Sequence, residues 1–318
     1  MSAPKFLRGN YSDLFGSSML PVLEELFRSE LKQHPSRRDV LFKTVPTERD
    51  VWQSSELHDM PLFNQMSEAD DYSYEAPKQG ASKTLSVSKY GLGFSISEEA
   101  VDDGKFAFIA DAVQKMAKSA RESQEIQAMN ILNNAFGSTT TADGVALCST
   151  AHTLPSGGTF RSKLSSDADL SATSLEQALL DFETQFVGDT GIINLVQPKI
   201  LMVAPSNKRL AKELIGSDLK ATTATAGSTG ITNVNNMNSF KEEGLIVVSS
   251  PHLTDSDAWF LCAAPSEMGL RIISRKPIET KGAGPDAGFD NDSIKYKSRY
   301  REVIGAIHAY GIMGSAGA

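Results

Sequence analysis

The chain contains little cysteine and no long apolar run. Its 318 residues include two cysteines, Cys148 and Cys262, which lie far apart. Such sparse thiols fit a reducing compartment and provide neither a disulfide framework nor the spacing of a zinc site. The apolar stretch AWFLCAA at 258–264 is much too short to span a bilayer, and the first residues lack the apolar core of a secretion signal. We therefore expect no metal, no disulfide and no membrane segment.

Positive charge is also in deficit. The chain has 39 acidic residues against 31 Lys and Arg, so its formal net charge is −8. A protein whose main task is to grip nucleic acid needs a basic face that neutralises phosphates. The composition argues against that task, although not against enclosing nucleic acid. An apolar content of 40% over 318 residues predicts a folded protein with two lobes, or one lobe with long excursions.

The first half of the chain shows one short and one very long helical pattern. Four apolar residues recur at helical spacing near the N-terminus: Leu20, Leu23, Phe27 and Leu31. Alternation over 83–97 predicts a strand with a bulge near Lys89. A helical pattern then runs over 98–136, which corresponds to a helix of roughly 50 Å.

The second half mixes short helices with short strands. A capped helix is predicted over 171–188, and a strand, a turn and a helix over 198–217. Residues 221–239 are rich in turn formers and predict a loop. Apolar strands and a late β segment complete the chain, at 244–250, 258–264, 269–277 and 291–315. The pattern as a whole predicts an α+β fold.

The stretch DGVALCSTAHTL, residues 143–154, carries a candidate catalytic pair. Cys148 stands four residues before His152, and the two could serve as nucleophile and base of a thiol enzyme. The spacing identifies no activating neighbour and no third orienting residue, so a packed structural cysteine is the favoured interpretation. The histidines show no metal-binding spacing, and the glycine-rich strings lack a phosphate-loop pattern. We expect no catalytic, cofactor-binding or metal site.

Acidic and basic residues are segregated along the chain. Between Val51 and Pro77 there are six acids and neither Lys nor Arg, whereas residues 271–301 hold eight Lys or Arg and four acids. Such segments are usually solvated surfaces, and taken alone this is the favoured interpretation. Opposite charges can also set the register of a subunit contact.

Four stretches in this order resemble a known family. They are YGLGFSISEEAVDDG entering the long helix, DGVALCSTAHTL after it, PKILMVAPSNKRLAKELIGS in the second half, and the closing YKSRYREVIGAIHAYGIMGS. Together with the order of the elements, they resemble a tailed-bacteriophage major capsid protein of the Hong Kong 97-type fold. Within that fold the resemblance is closest to the Mu-like major head subunits.

The resemblance implies a division of the chain into five segments. These are an N-terminal arm (1–39), an extended loop over a neighbouring subunit (40–82), a peripheral domain (83–184) with a spine helix (98–136), an axial domain (185–270), and a return to the peripheral domain (271–318). Loops of the axial domain, including 221–239, would meet around five- and six-fold axes.

The resemblance also implies a function. Pentamers and hexamers of the protein would form the icosahedral head shell of a virion, which encloses double-stranded DNA without sequence-specific binding. Assembly would take place in the bacterial cytoplasm, with no enzyme activity and no cofactor. Because only residues 1–39 precede the loop, we expect a separate scaffold protein rather than a built-in one, together with a portal and possible decoration proteins.

A contact between subunits follows as a hypothesis. The acidic stretch 51–77 of the extended loop, here called the acidic loop, would dock in one subunit on the basic 271–301 stretch of the next. The candidate residues are Glu68, Asp70, Asp71 and Glu75 on the loop, and Arg275, Lys276, Lys295, Lys297 and Arg299 on the basic stretch.

Two other functions stay open. An encapsulin-like bacterial compartment would have the same fold but would contain cargo protein instead of DNA. A thiol-dependent hydrolase would use Cys148 and His152, and would be revealed by reaction with a small electrophile.

Overall fold

The structure is a computed structural model, and two mixed β-sheets organise it. It describes residues 19–57, 60–68, 71–72, 74, 76, 79–97, 99, 106–154, 157–188, 190–218, 238–283 and 293–318. Its α-helices are α1 (Met19–Gln33), α2 (Phe106–Asn133), α3 (Ala172–Thr184) and α4 (Lys208–Gly216). Its strands are β1 (Lys43–Pro46), β2 (Val51–Leu57), β3 (Gln79–Ser86), β4 (Ser88–Ser97), β5 (His152–Thr153), β6 (Thr159–Phe160), β7 (Ile200–Val203), β8 (Ile246–Ser249), β9 (Trp259–Cys262), β10 (Leu270–Ala283), β11 (Ser293–Ala306) and β12 (Ile312–Ser315).

The first sheet has the strand order β1-β10-β11-β4 and packs one face against helices α1 and α2. Its strand β1 is parallel to β10, and its other pairs are antiparallel. Tyr300 of β11 contacts α2 through hydrogen bonds with Ser123 and Gln127. Helix α1 adds a small apolar core in which Leu23 and Phe27 pack with residues of α2 and β11. The amphipathic spacing of α1 is therefore explained by one buried stripe.

The second sheet has the order β12-β9-β7-β8 and lies at the centre of the main core. Every residue of β7 and β9 is buried, as expected for short apolar strands covered on both faces. Helix α3 begins with a capping box, because Ser171 and Ser174 each accept a hydrogen bond from the other's backbone N–H. The predicted capped helix and the strand, turn and helix that follow it are present.

Strands β2 and β3 form a separate two-stranded hairpin that extends from the first sheet. The backbone N–H of Val87 donates to the carbonyl of Asp50 at 2.8 Å and closes its root. Leu85 is the buried residue of β3 and lies over Gly305 of β11, where an added Cβ would be 2.8 Å from both Leu85 methyl groups. The absence of a side chain at Gly305 thus leaves room for Leu85 of the hairpin to pack against β11.

The structure corrects four details of the sequence-based prediction. The strand expected over 83–97 is divided at Val87 between β3 and β4, which belong to different sheets. Residues 43–46, expected in the loop, form β1 of the first sheet. The long helix ends at Asn133 rather than at 136, because the chain turns at 134–138; the expected start of that helix at 98–105, apart from residue 99, lies outside the described residues.

The fourth correction concerns the end of the chain. The single late β segment is divided into two strands: β11 pairs with β4 and β10 in the first sheet, whereas β12 pairs with β9 of the second sheet. Residues 219–237, which hold most of the predicted 221–239 loop, lie outside the described part of the chain. The α+β class itself is confirmed.

Candidate subunit-contact surface

The basic stretch predicted from the sequence lies on the face of the first sheet that points away from the helices. Side chains alternate along β11, so Tyr296 and Tyr300 are buried against α1 and α2. The intervening residues Lys295 and Lys297 are exposed, and Arg299 is partly exposed. The alternation therefore gathers the cations on one face.

Neighbouring strands extend this cationic surface. Pairing places Lys276 beside Arg301, Lys281 beside Lys297, and Lys89 of β4 beside Arg301. We name the basic face after the seven cations it presents: Lys89, Lys276, Lys281, Lys295, Lys297, Arg299 and Arg301. The candidate Arg275 instead lies at a register shift between two paired positions of β10.

One acid among the described residues neutralises part of the positive charge of the basic face. Glu279 lies opposite Arg299, whose Nε donates to Glu279 Oε1 at 2.7 Å. This hydrogen bond is the main cause of the lowered pKa of Glu279. Lys281 and Lys297 lie directly opposite each other on adjacent strands, and their like charges repel. The face therefore favours an anionic partner.

The acidic loop joins the two strands of the hairpin and presents apolar as well as acidic side chains to solvent. Phe63 and Tyr74 are 104% and 92% exposed, and Leu62 and Tyr72 are both 73% exposed. Of the four predicted acidic contact residues, Glu68 and Asp71 are exposed. The other two, Asp70 and Glu75, lie outside the described residues. Exposed apolar side chains in such number on one segment mark an interaction surface.

The candidate pair Cys148 and His152 has no catalytic arrangement. His152 is fully buried, its Nδ1 lies 2.7 Å from Asp143 Oδ2, and its Nε2 lies 2.8 Å from Ser162 Oγ. Both ring nitrogens are thus occupied by groups other than the thiol. Burial raises the pKa of Cys148 well above its ordinary value, and nearby Cys262 raises it further. The thiol is therefore a buried, packed group, as the sequence favoured.

Asp143, His152 and Ser162 have the order of contacts found in a hydrolase triad, but the environment is wrong for catalysis. Ser162 is fully buried, and its hydroxyl donates to the carbonyl of Leu147 at 2.7 Å. Burial alone would raise the pKa of Asp143, but hydrogen bonds from His152 and Thr141 lower it below its ordinary value. The group ties together the chain that follows α2. The sequence carried no signal for this group, because the segment 143–162 contains many other Ser and Thr residues and no spacing links these three.

Across the described ranges, no group of three or more His, Cys, Asp or Glu is placed to hold a metal ion. None of the helices in those ranges combines the length and apolar character needed to cross a membrane.

The sequence of the chain matches the model of a known protein family. The family described as phage capsid protein matches residues 80–313, well over half of the chain. This chain belongs to the phage capsid protein family. No curated protein matches the capsid protein in sequence.

Solved structures show that the capsid protein shares its fold with shell-forming proteins. The capsid of the cyanophage P-SCSP1u matches with a TM-score of 0.56 at 11% identity, covering 89% of this chain and 88% of that chain. The structure titled Microbacterium phage Oxtober96 matches with a TM-score of 0.52 at 11% identity, covering 89% and 91%. A virus-like particle from Pyrococcus furiosus matches with a TM-score of 0.52 at 12% identity, covering 93% and 98%.

These findings confirm the resemblance at the level of family and fold. The capsid protein has the Hong Kong 97-type α+β fold of tailed-phage capsids, and it is a structural protein that forms the shell of a virion from copies of itself. The compartment alternative is no better supported, since the matching family is that of phage capsids. The closer relation to Mu-like head subunits stays a prediction.

Proposed function

We propose that this capsid protein is the major subunit of the icosahedral head of a tailed bacteriophage and encloses its double-stranded DNA genome. The observation that carries the proposal is the family match over residues 80–313 on a chain with the fold of phage capsids. In this proposal the protein assembles in the bacterial cytoplasm as pentamers and hexamers, and has no catalytic role. A separate scaffold protein and a portal take part, and decoration proteins can bind the finished shell.

The exposed acidic loop supports assembly as the purpose of the fold. Side chains such as Phe63 and Tyr74 remain in water in the single subunit, although burying each would contribute about 1.5–3 kcal/mol. A neighbouring copy that covers them recovers this free energy. Closed symmetric shells repeat each contact many times, so a modest contact per subunit is enough.

The same proposal includes a charge contact between copies. The acidic loop, with Glu68, Asp70, Asp71 and Glu75, docks on the basic face of an adjacent subunit. Lys276, Lys295, Lys297 and Arg299 of the predicted contact set belong to that face, and Arg275 borders it. Charge of opposite sign on the two surfaces sets partner choice and register more than affinity.

The test is assembly of a loop variant in which Asp70, Asp71 and Glu75 are all replaced by Lys. We expect a folded subunit that fails to form shells, as seen by negative-stain electron microscopy and sedimentation velocity. A matched control replaces three exposed acids elsewhere, Glu176, Glu183 and Glu243, by Lys. Shells of normal shape and yield from the loop variant would refute the charge contact.

The contents of the particles test the function itself. Particles purified from infected cells should hold double-stranded DNA. It is measured as nucleic acid that survives nuclease treatment, and as a high ratio of nucleic-acid absorbance to protein absorbance. The fold also occurs in a virus-like particle, so a compartment shell is the second candidate. Particles that contain a single cargo protein and no DNA would favour it.

A further inference from the structure

Strand β4 forms an open edge of the first sheet. It pairs with β11 in one unbroken register from Ser88 opposite Glu302 to Ser97 opposite Ser293, and no other described strand pairs with it. A long regular edge is normally blocked by proline, a bulge or several charges, because it invites another chain. Among its ten residues β4 has one charged side chain, Lys89, and no proline.

Two glycines leave the backbone of β4 bare on the basic face. Gly91 and Gly93 lie opposite Arg299 and Lys297. A Cβ added at Gly91 would be 3.1 Å from the carbonyl oxygen of Ser298, and one at Gly93 would be 3.1 Å from Lys297 Cβ. Glycine within a strand weakens the strand and often marks the close approach of another backbone. The position therefore has a cost to stability that an arriving chain can offset.

The glycines form the floor of a groove with cationic walls. It has a volume of about 470 Å³ and is lined by Lys89, Gly91, Leu92, Gly93, Lys297, Ser298 and Arg299. The walls are cations, whereas the floor is peptide backbone. This combination fits an extended peptide with carboxylates, since its backbone can approach the floor while its acids reach the walls.

We propose that the groove over Gly91 and Gly93 is the receptor for the acidic loop of a second copy of this chain. The inference rests on the proposed function, and it specifies where on the basic face the loop docks and how. Residues 51–77 carry six acids and no Lys or Arg, and residues 60–67 are exposed and have neither helix nor strand. A DNA duplex would use the cations but would gain nothing from bare backbone between them.

The first experiment changes the groove. Lys89→Glu with Lys297→Glu should lower the rate of shell assembly at least tenfold, measured by light scattering and electron microscopy on subunits that unfold at the wild-type temperature. Replacing two exposed lysines elsewhere, Lys118 and Lys212, by Glu is the matched control. Adding Glu68→Lys and Asp71→Lys to the groove variant should restore assembly, since both sides of the contact are then reversed.

The floor is tested separately from the walls. Gly91→Ala with Gly93→Ala should slow assembly while leaving every charge in place, and Gly137→Ala, where an added Cβ meets nothing within 4 Å, is its control. If the alanine variant no longer folds, Gly93→Ala alone replaces it. Groove variants that assemble at the wild-type rate would overturn the inference, and shells of normal yield that lose only their DNA would assign the face to nucleic acid instead.

A crosslink identifies the occupant. A photoreactive amino acid at position 89, in shells built from a mixture of isotope-labelled and unlabelled copies, should attach to residues 51–77 of another copy, as mapped by mass spectrometry. Attachment to any other segment or to DNA would overturn the inference while leaving the shell function intact. Failure of the wild-type protein to form any shell in infected cells would instead refute the proposed function.

Discussion

Arg38 and Glu302 form a buried ion pair that joins the segment after α1 to strand β11. Nη1 and Nη2 of Arg38 donate to the two carboxylate oxygens of Glu302 at 2.5 Å and 3.1 Å, and the side chains are 8% and 3% exposed. Gln124 of α2 also donates to Glu302, at 3.2 Å. The backbone N–H of Arg37 donates to Glu125 of the same helix at 2.9 Å. Helix, strand and incoming chain thus meet at one polar cluster.

Removing one partner of this pair should be strongly destabilising. Arg38→Ala leaves the Glu302 carboxylate buried without its cation, so we expect the free energy of unfolding to fall by about 3–5 kcal/mol. Urea denaturation followed by circular dichroism measures the change. Arg28→Ala is the control, because its ion pair with Glu24 is exposed and contributes at most about 1 kcal/mol. Similar losses from the two variants would contradict the prediction.

The packing of Leu85 on Gly305 should hold the root of the hairpin in position. Gly305→Val places carbon where the Leu85 methyl groups lie, so we expect the root of the hairpin to be displaced and β2 and β3 to be cleaved faster in limited proteolysis. Adding Leu85→Ala provides space and should restore part of the protection. Gly137→Val, at an open position, should leave the cleavage rate unchanged. Equal protection in all three variants would show that the contact has no role.

Neither cysteine should react in the folded protein. Burial raises the pKa of Cys262 to about 12 and that of Cys148 well above its ordinary value, so almost no thiolate is present at neutral pH. A disulfide reagent that reports released thiolate should detect both thiols in concentrated guanidinium chloride and neither in buffer. Fast labelling of Cys148 in the native state would revive the thiol-enzyme alternative.

His308 should make the protein less stable in mild acid. Burial, and to a smaller extent the positive charge of Arg271, lowers the pKa of His308 to about 4. The unfolded chain takes up a proton near pH 6.5 and the folded chain does not, so stability is full above about pH 6.5 and falls until about pH 4, by at most about 3 kcal/mol. Urea midpoints across this range should lose that slope in His308→Gln. The same substitution at partly exposed His34 is the control.

The sequence predicted elements whose signal is local and missed those that depend on distant pairing. Helix α1, the capped helix α3 and the buried strands β7 and β9 are each visible in periodicity or capping residues. Strand β1 was missed because its four residues acquire their structure from a parallel partner that lies far along the chain, at Arg271–Ser274 of β10. The divided strand had a local trace, the shift of period near Lys89. The cause of the division, the hydrogen bond from Val87 to Asp50, was not readable.

The candidate surface was predicted in the same partial way. Charge segregation pointed to Lys295, Lys297 and Arg299, and alternation along β11 then placed them on one face. Lys89 was missed because it belongs to the face only through pairing of β4 with β11. Gly91 and Gly93 lie inside the strand predicted over 83–97, but their place on the basic face was missed because it follows from pairing with β11. His152 was matched with the wrong partner because loop closure, not spacing, brings it to Asp143 and Ser162.

The route of the chain between its two sheets holds them together at a shared junction. The backbone passes from β9 to β10 and later from β11 to β12, and these two crossings touch. Ile307 N–H donates to the carbonyl of Gly269 at 2.9 Å, and an added Cβ at Gly269 would be 2.0 Å from the His308 carbonyl oxygen. A third segment reaches the same junction, since the backbone N–H of Ala142 donates to the carbonyl of Ile307 at 2.8 Å, and the main core continues across it from Met129 to β7 and β9. Force on one sheet therefore reaches the other through several parallel connections, and we expect a strained subunit to move as one body instead of folding at a hinge between its sheets.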